Sequence, residues 1–212
     1  MKRLIASLVA VLLLVSPSAP TAAPDPLKSA AGLSYSANPG LSNNFCSTAS
    51  IWEEYRLYLT AAHCVLDDEG QWEQGFYVDG APGEIWAINP GMDLAVVRAR
   101  EAAPRPELRL AKKTPKYLDD VFVAGFPFGW TSPTVFRGWV SSPFLQFDAM
   151  DKEYMILQIA GAPGNSGSSV VNKKGEVVSV IQIGWDRTFM PVLGGATLDQ
   201  LRTFAEKYFH RH

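Results

Sequence analysis

Between Arg56 and Ile183 the chain is divided into short apolar runs of β type, each closed by residues that turn a backbone. The runs are Arg56–Leu59, Gly75–Val78, Glu84–Ile88, Leu94–Arg98, Val121–Ala124, Val135–Val140, Tyr154–Ile159, Ser169–Val171 and Val177–Ile183. Between them stand Asp79-Gly80, Asn89-Pro90-Gly91, Phe126-Pro127-Phe128-Gly129 and Asn172-Lys173-Lys174-Gly175. Gly supplies positive φ, Pro presets φ, and Asn or Asp bonds its own backbone, so each cluster favours a turn for a stated reason. Runs this short, at regular spacing, predict an antiparallel sandwich or barrel.

One helix is expected, at the C-terminal end. Thr197 followed three residues later by Gln200 is a capping-box pattern. Leu198, Leu201, Phe204, Ala205, Tyr208 and Phe209 then recur at helical spacing and form one apolar packing face. With 212 residues the chain has room for one domain or two small lobes. The stretch from Ala103 to Pro115, with three prolines, reads as the connector between lobes at 41–112 and 113–212. Residues 24–40, rich in Pro, Ser and Ala, read as a loosely held leader.

The first 23 residues read as an export signal. Lys2 and Arg3 precede an apolar run from Leu4 to Val15, and small residues follow at Ala19, Ala22 and Ala23. That run falls short of the ~20 residues that span a bilayer, so no stable membrane anchor is expected. Its removal takes away two cations and no acid, so a chain of net charge −2 becomes more acidic. An acidic chain without basic runs offers nucleic acid no electrostatic footing. Exported chains meet oxidising conditions, in which the two cysteines, Cys46 and Cys64, would bridge; two buried thiols are the alternative.

Three residues carry possible chemistry, in the order His63, Asp93, Ser166. Each is set in a distinctive segment: Leu59-Thr60-Ala61-Ala62-His63-Cys64, Met92-Asp93-Leu94-Ala95-Val96-Val97 and Gly164-Asn165-Ser166-Gly167. A serine hydroxyl becomes a good nucleophile when a neighbouring base takes its proton. A histidine serves as that base when a carboxylate fixes its tautomer. Of the three histidines, His210 and His212 lie in the last three residues, which leaves His63 for a packed site. Cys64 is a poor nucleophile candidate, because it directly follows His63 and no second internal histidine would activate it.

These segments resemble the trypsin-like serine peptidases of chymotrypsin fold. Phe45-Cys46 followed by small residues, then Leu59–Cys64, resembles the strand and base loop, and Asp93–Val97 the strand that carries the acid. Gly125–Gly129 with Thr134–Ser142, and Gly164–Ser168 with Val170-Val171-Asn172, are similar to second-barrel segments of bacterial HtrA-like protease modules without a PDZ domain. The resemblance covers roughly residues 42 to 196. It implies an all-β fold of two antiparallel Greek-key barrels with a C-terminal α-helix. It implies a serine endopeptidase acting on peptide or protein, without cofactor or metal. His63, Asp93 and Ser166 would be catalytic, Gly164 and Ser166 would supply oxyanion-hole N–H groups, and a Cys46–Cys64 disulfide would sit beside the base. By position, Ala160, Gly161 and Ala162 would line one side of the primary pocket and Gln182, Ile183 and Gly184 the other. None is acidic, which points to a small or apolar residue at the scissile position.

The sequence also departs from the family pattern. Asn165 stands where trypsins carry an aspartate that pairs with a newly cut N-terminus, so activity without zymogen cleavage is expected. Ser168-Ser169 stands where many relatives carry Gly-Pro. Other classes fit worse. The α/β-hydrolase order of Ser, Asp, His is absent, and Gly161–Gly164 lacks the Gly-Lys-Ser/Thr ending of a phosphate loop. Asp67-Asp68-Glu69-Gly70 reads as a solvated turn rather than a calcium loop. A catalytically silent, protease-like peptide-binding module is the alternative from a different functional class.

Overall fold

The computed structural model describes residues 25–35, 37, 44–66, 75–147, 152–185 and 192–209. The export signal, the Asp67–Gly70 turn and the two terminal histidines lie outside them. A short helix α1 (Pro26–Ser29) leads into β1 (Ala30–Ser34), β2 (Asn44–Trp52), β3 (Leu57–Thr60), β4 (Tyr77–Val78), β5 (Ala81–Pro82), β6 (Glu84–Asn89) and β7 (Leu94–Arg98). These form one antiparallel sheet in the order β5-β4-β1-β2-β3-β7-β6. The second half contributes β8 (Asp120–Gly125), β9 (Thr134–Phe147), β10 (Lys152–Gln158), β11 (Ser169–Val171), β12 (Val177–Trp185) and β13 (Val192–Gly195). They close into a six-stranded barrel, β10-β13-β12-β11-β8-β9. Helix α2 (Leu198–Phe209) ends the described chain. The architecture is the expected all-β pair of barrel-like antiparallel sheets with a C-terminal helix.

The leader expectation needs correction. Residues 30–34 form a strand with every residue buried, hydrogen-bonded to β2 on one side and β4 on the other. The first sheet therefore begins at Ala30 rather than at 41. Small residues hid it: Ala30, Ala31 and Gly32 fit a crowded interior without the large apolar side chains that mark a strand.

Strands β3 and β7 explain how the two halves pack. Tyr58, Ala95 and Val97 point into the first barrel with Leu33, Val65 and Val78. Their alternates Leu57, Leu59, Leu94 and Val96 join Val121, Val123, Val170, Leu198 and Phe204 in a core continuous with the second barrel and α2. A strand covered on both faces needs apolar residues at every position, hence the unbroken Leu94-Ala95-Val96-Val97. Each large side chain so buried contributes about 1.5–3 kcal/mol. The connector is no loose tether. Leu108 N–H donates to Ser50 O of β2, and Ala111 N–H donates to Val177 O of β12.

The α2 capping box forms as expected. Thr197 N–H donates to Gln200 Oε1 at 2.8 Å, and Gln200 N–H donates to Thr197 Oγ1 at 3.2 Å. Tyr208 then reaches across to donate its hydroxyl to Ile88 O of β6 at 2.9 Å. Thr197→Ala is expected to lower stability by about 1 kcal/mol, read as a shifted denaturant midpoint at unchanged slope.

Candidate functional site

His63 lies on a 3₁₀ turn, Ala62–Cys64, directly after β3. Its neighbour Cys64 is disulfide-bonded to Cys46 of β2, with Cα atoms 6.0 Å apart. Cys46, His63 and Cys64 place possible metal-ligand atoms within 4.8 Å of one another, but both sulfurs are spent in that bond. The turn is thereby pinned to the neighbouring strand at its last residue.

Asp93 is the final residue of the turn between β6 and β7 and has a left-handed φ of 51°. That conformation costs a non-glycine residue about 1–2 kcal/mol, so its surroundings must hold it. Met92 N–H donates to Asn89 Oδ1 at 3.2 Å, and Asp93 N–H donates to Pro90 O at 3.1 Å. The carboxylate turns to His63: it accepts from the backbone N–H at 2.9 Å and lies 2.9 Å from Nδ1. An ionised carboxylate only accepts, so Nδ1–H is the donor in this pair; in a neutral imidazole that leaves Nε2 as the acceptor. The acid is the less exposed partner, with side-chain exposures of 16% for Asp93 and 43% for His63. Its charge is felt in the second barrel: burial pushes the Tyr154 phenol above its ordinary value, and nearby Asp93 adds to the rise.

Ser166 sits in the loop between β10 and β11, and Ser47 of β2 holds this loop against the first barrel. Ser47 N–H donates to Ser166 O at 2.8 Å, and its hydroxyl donates to Gly164 O at 2.7 Å. The same hydroxyl accepts from Phe126 N–H at 2.9 Å. Ser47 directly follows Cys46, so neighbouring residues of one strand fix the His63 turn and the Ser166 loop. Among the described residues no hydrogen bond joins the Ser166 hydroxyl to His63; such contacts often tighten only when substrate binds.

The loop's backbone has a directional pattern. The N–H groups of Asn165, Gly167 and Ser168 donate to Ala162 O, Ile181 O and Asn165 O. Those of Gly164 and Ser166 have no acceptor among the described residues. Phe128 N–H donates to Pro163 O at 2.7 Å, and all described peptides are trans, so the Gly164 N–H points the opposite way from that carbonyl. Gly164 itself has φ 97°, and a Cβ there would lie 2.3 Å from Phe126 O.

Of the expected pocket residues, Gly161 and Gly184 lie against the side chain of Leu193 in β13. A Cβ on Gly161 would meet its side chain at 2.6 Å, and one on Gly184 at 3.3 Å. Ala160 and Gly161 are exposed, Ala162 and Ile183 half-buried, and Gly184 exposed. Gln182 is placed differently: it is 9% exposed, and its amide donates to Met92 O at 2.7 Å and Asp93 O at 2.9 Å. Ser47, Leu193 and the role of Phe128 were not foreseen. A buried serine beside a cysteine in a strand is the only local signal, and it marks Ser47 alone.

Gly167 shows how tightly the loop meets the first barrel. At φ 80°, a Cβ would stand 2.1 Å from Thr60 Oγ1 and 2.2 Å from Ser47 O. Gly167→Ala is therefore expected to lower stability by about 2–4 kcal/mol, measured by chemical denaturation.

Known proteins resemble this chain in family and in fold. A family model described as the trypsin-like peptidase domain matches residues 47–180. No curated protein matches. Among solved structures, the active form of the Rv3671c protease from M. tuberculosis is similar at 18% identity, with a TM-score of 0.68 over 98% of this chain and 95% of that one. An inactive form of Rv3671c, bearing a serine-to-alanine substitution, matches at 17% identity and a TM-score of 0.65 over 91% of this chain and 98% of that one. At such identity the likeness speaks for the fold alone. The matched domain spans more than half of the chain, which belongs to the trypsin-like peptidase family and is a serine endopeptidase.

Proposed function

We propose that this chain is an exported endopeptidase that cleaves peptide bonds through His63, Asp93 and Ser166 by way of an acyl-enzyme. Ser166 Oγ attacks the scissile carbonyl while His63 Nε2 takes its proton, and the carbonyl oxygen becomes an oxyanion. The C–N bond then breaks as His63 returns the proton to the leaving amine. Water repeats the sequence to free the acid product and Ser166. Asp93 stays ionised throughout and stabilises the imidazolium. The N–H groups of Gly164 and Ser166 receive the oxyanion; such single donors are worth about 3–4 kcal/mol in the transition state. The observation that carries this reading is the double hold of Asp93 on His63, through Nδ1 and through the backbone N–H.

Export is supported by the Cys46–Cys64 disulfide, and no helix among the described residues is long and apolar enough to cross a membrane. Asn165 is 1% exposed and offers no carboxylate for an incoming ammonium, which supports activity without zymogen cleavage.

Hydrolysis of a peptide library by the purified mature chain tests the reading. Ser166→Ala should abolish turnover and leave the fold intact. Asp93→Asn should cost ~10⁴ in kcat by favouring the wrong tautomer, the loss known for this substitution in a protease with the same triad. Turnover that survives Ser166→Ala would remove the serine from its role. A folded wild type without hydrolysis would favour the silent peptide-binding module.

The pocket reading is tested separately. With Leu193 between Gly161 and Gly184, small and apolar residues are expected at the scissile position. Leu193→Ala should raise kcat/KM for larger side chains there by about 10-fold or more, since each methylene of fit is worth 10- to 200-fold. A library cleaved mainly after Lys or Arg would contradict it.

A further inference from the structure

We infer that Gln182 is a positioning residue for the acid of the site, a role that rests on the catalytic reading above. In the pairing of β12 with β13, Ile181 faces Gly195 and Ile183 faces Gly194, so Gln182 is the extra residue of a β-bulge. A bulge bends a strand and re-aims one side chain. Here it sends the side chain of Gln182 out of the second barrel towards the turn that ends in Asp93.

The amide arrives at two adjacent carbonyls. Nε2 lies 2.7 Å from Met92 O and 2.9 Å from Asp93 O, so each of its two hydrogens has an acceptor. The residue is 9% exposed, so water has little access to substitute for it. What it holds is the least relaxed part of the site: Asp93 has φ 51°, and both oxygens of its carboxylate approach His63 Nδ1, at 3.1 and 2.9 Å. The other backbone ties of that turn, from Asn89 and Pro90, are local to the first barrel. Gln182 therefore adds a restraint that exists only when the barrels are packed, and couples the acid to the half that carries Ser166. The chemistry demands a neutral double donor of this length. An ionised glutamate would set a negative charge against two carbonyl oxygens, and a methionine of similar shape would donate nothing.

The test compares wild type with Gln182→Met and Gln182→Glu at neutral pH, reading kcat, KM and the far-downfield proton resonance of His63 Nδ1–H. That resonance is recorded on the resting protein, without substrate. Gln182→Met should lower kcat by about 10- to 100-fold, the scale of a misplacement near 1 Å, with KM within about twofold. Its Nδ1–H resonance should broaden or shift upfield. Gln182→Glu should show the same losses, and it decides the matter should circular dichroism show Gln182→Met unfolded. Folded variants with kcat within about twofold of wild type and an unchanged resonance would overturn the inference. If wild type hydrolyses no peptide, the catalytic reading fails, while the resonance still decides whether Gln182 positions Asp93.

Discussion

The site depends on two adjacent residues of β2. Cys46 bonds Cys64 and so fixes the turn that carries His63. Ser47 accepts Phe126 N–H and donates to Gly164 O and, through its backbone, to Ser166 O. The proposed base and the proposed nucleophile, one from each barrel, are thus referred to one short piece of backbone, which removes much of the freedom two packed barrels would have to slide. Thr60 reinforces the arrangement by donating its hydroxyl to Ser47 O at 2.8 Å, just before the chain turns towards His63. These buried bonds are each worth only about 1 kcal/mol net, but breaking one leaves a buried donor or acceptor unmet, which costs more.

The remaining architecture supplies the rigidity that this geometry needs. β3 and β7 are covered on both faces, so the ends from which His63 and Asp93 emerge are held by two cores at once. α2 and the connector close the same seam, through Tyr208 to Ile88 and Leu108 to Ser50. Positive φ occurs at positions around the site, Asp93, Phe128, Gly164 and Gly167, and also in scaffold turns at Arg56, Asp79 and Leu118. Dense strand pairing around them offsets the cost of that conformation.

How much of this was legible in the sequence follows from the physics of each element. β7 and β11 read off directly, because alternating or continuous apolar residues bounded by turns leave little else to form. β2 was legible only through the resemblance at Phe45-Cys46, since Ser47, Thr48 and Ser50 occupy buried positions and look polar in isolation. β13 ends in Gly194 and Gly195, which carry no pattern. The groups able to do chemistry were visible, because their flanking small residues and turns are local. Of the residues that hold them, Cys46 was visible as the partner of Cys64, while the holding roles of Ser47 and Gln182 were not. The aim of Gln182 depends on a bulge between β12 and β13, and the grip of Ser47 depends on a loop more than a hundred residues away. Gln182 was expected beside the pocket because position along a strand says nothing about a bulge.

The central claim is that groups from both barrels assemble into one activated nucleophile. Reaction of the purified, oxidised mature chain with a fluorophosphonate, mapped by mass spectrometry of its peptides, tests it most directly. One adduct per chain, on Ser166 and lost in His63→Ala, is the predicted result. No adduct on a folded, oxidised protein, or an adduct on Ser166 that forms as fast without His63, would contradict it.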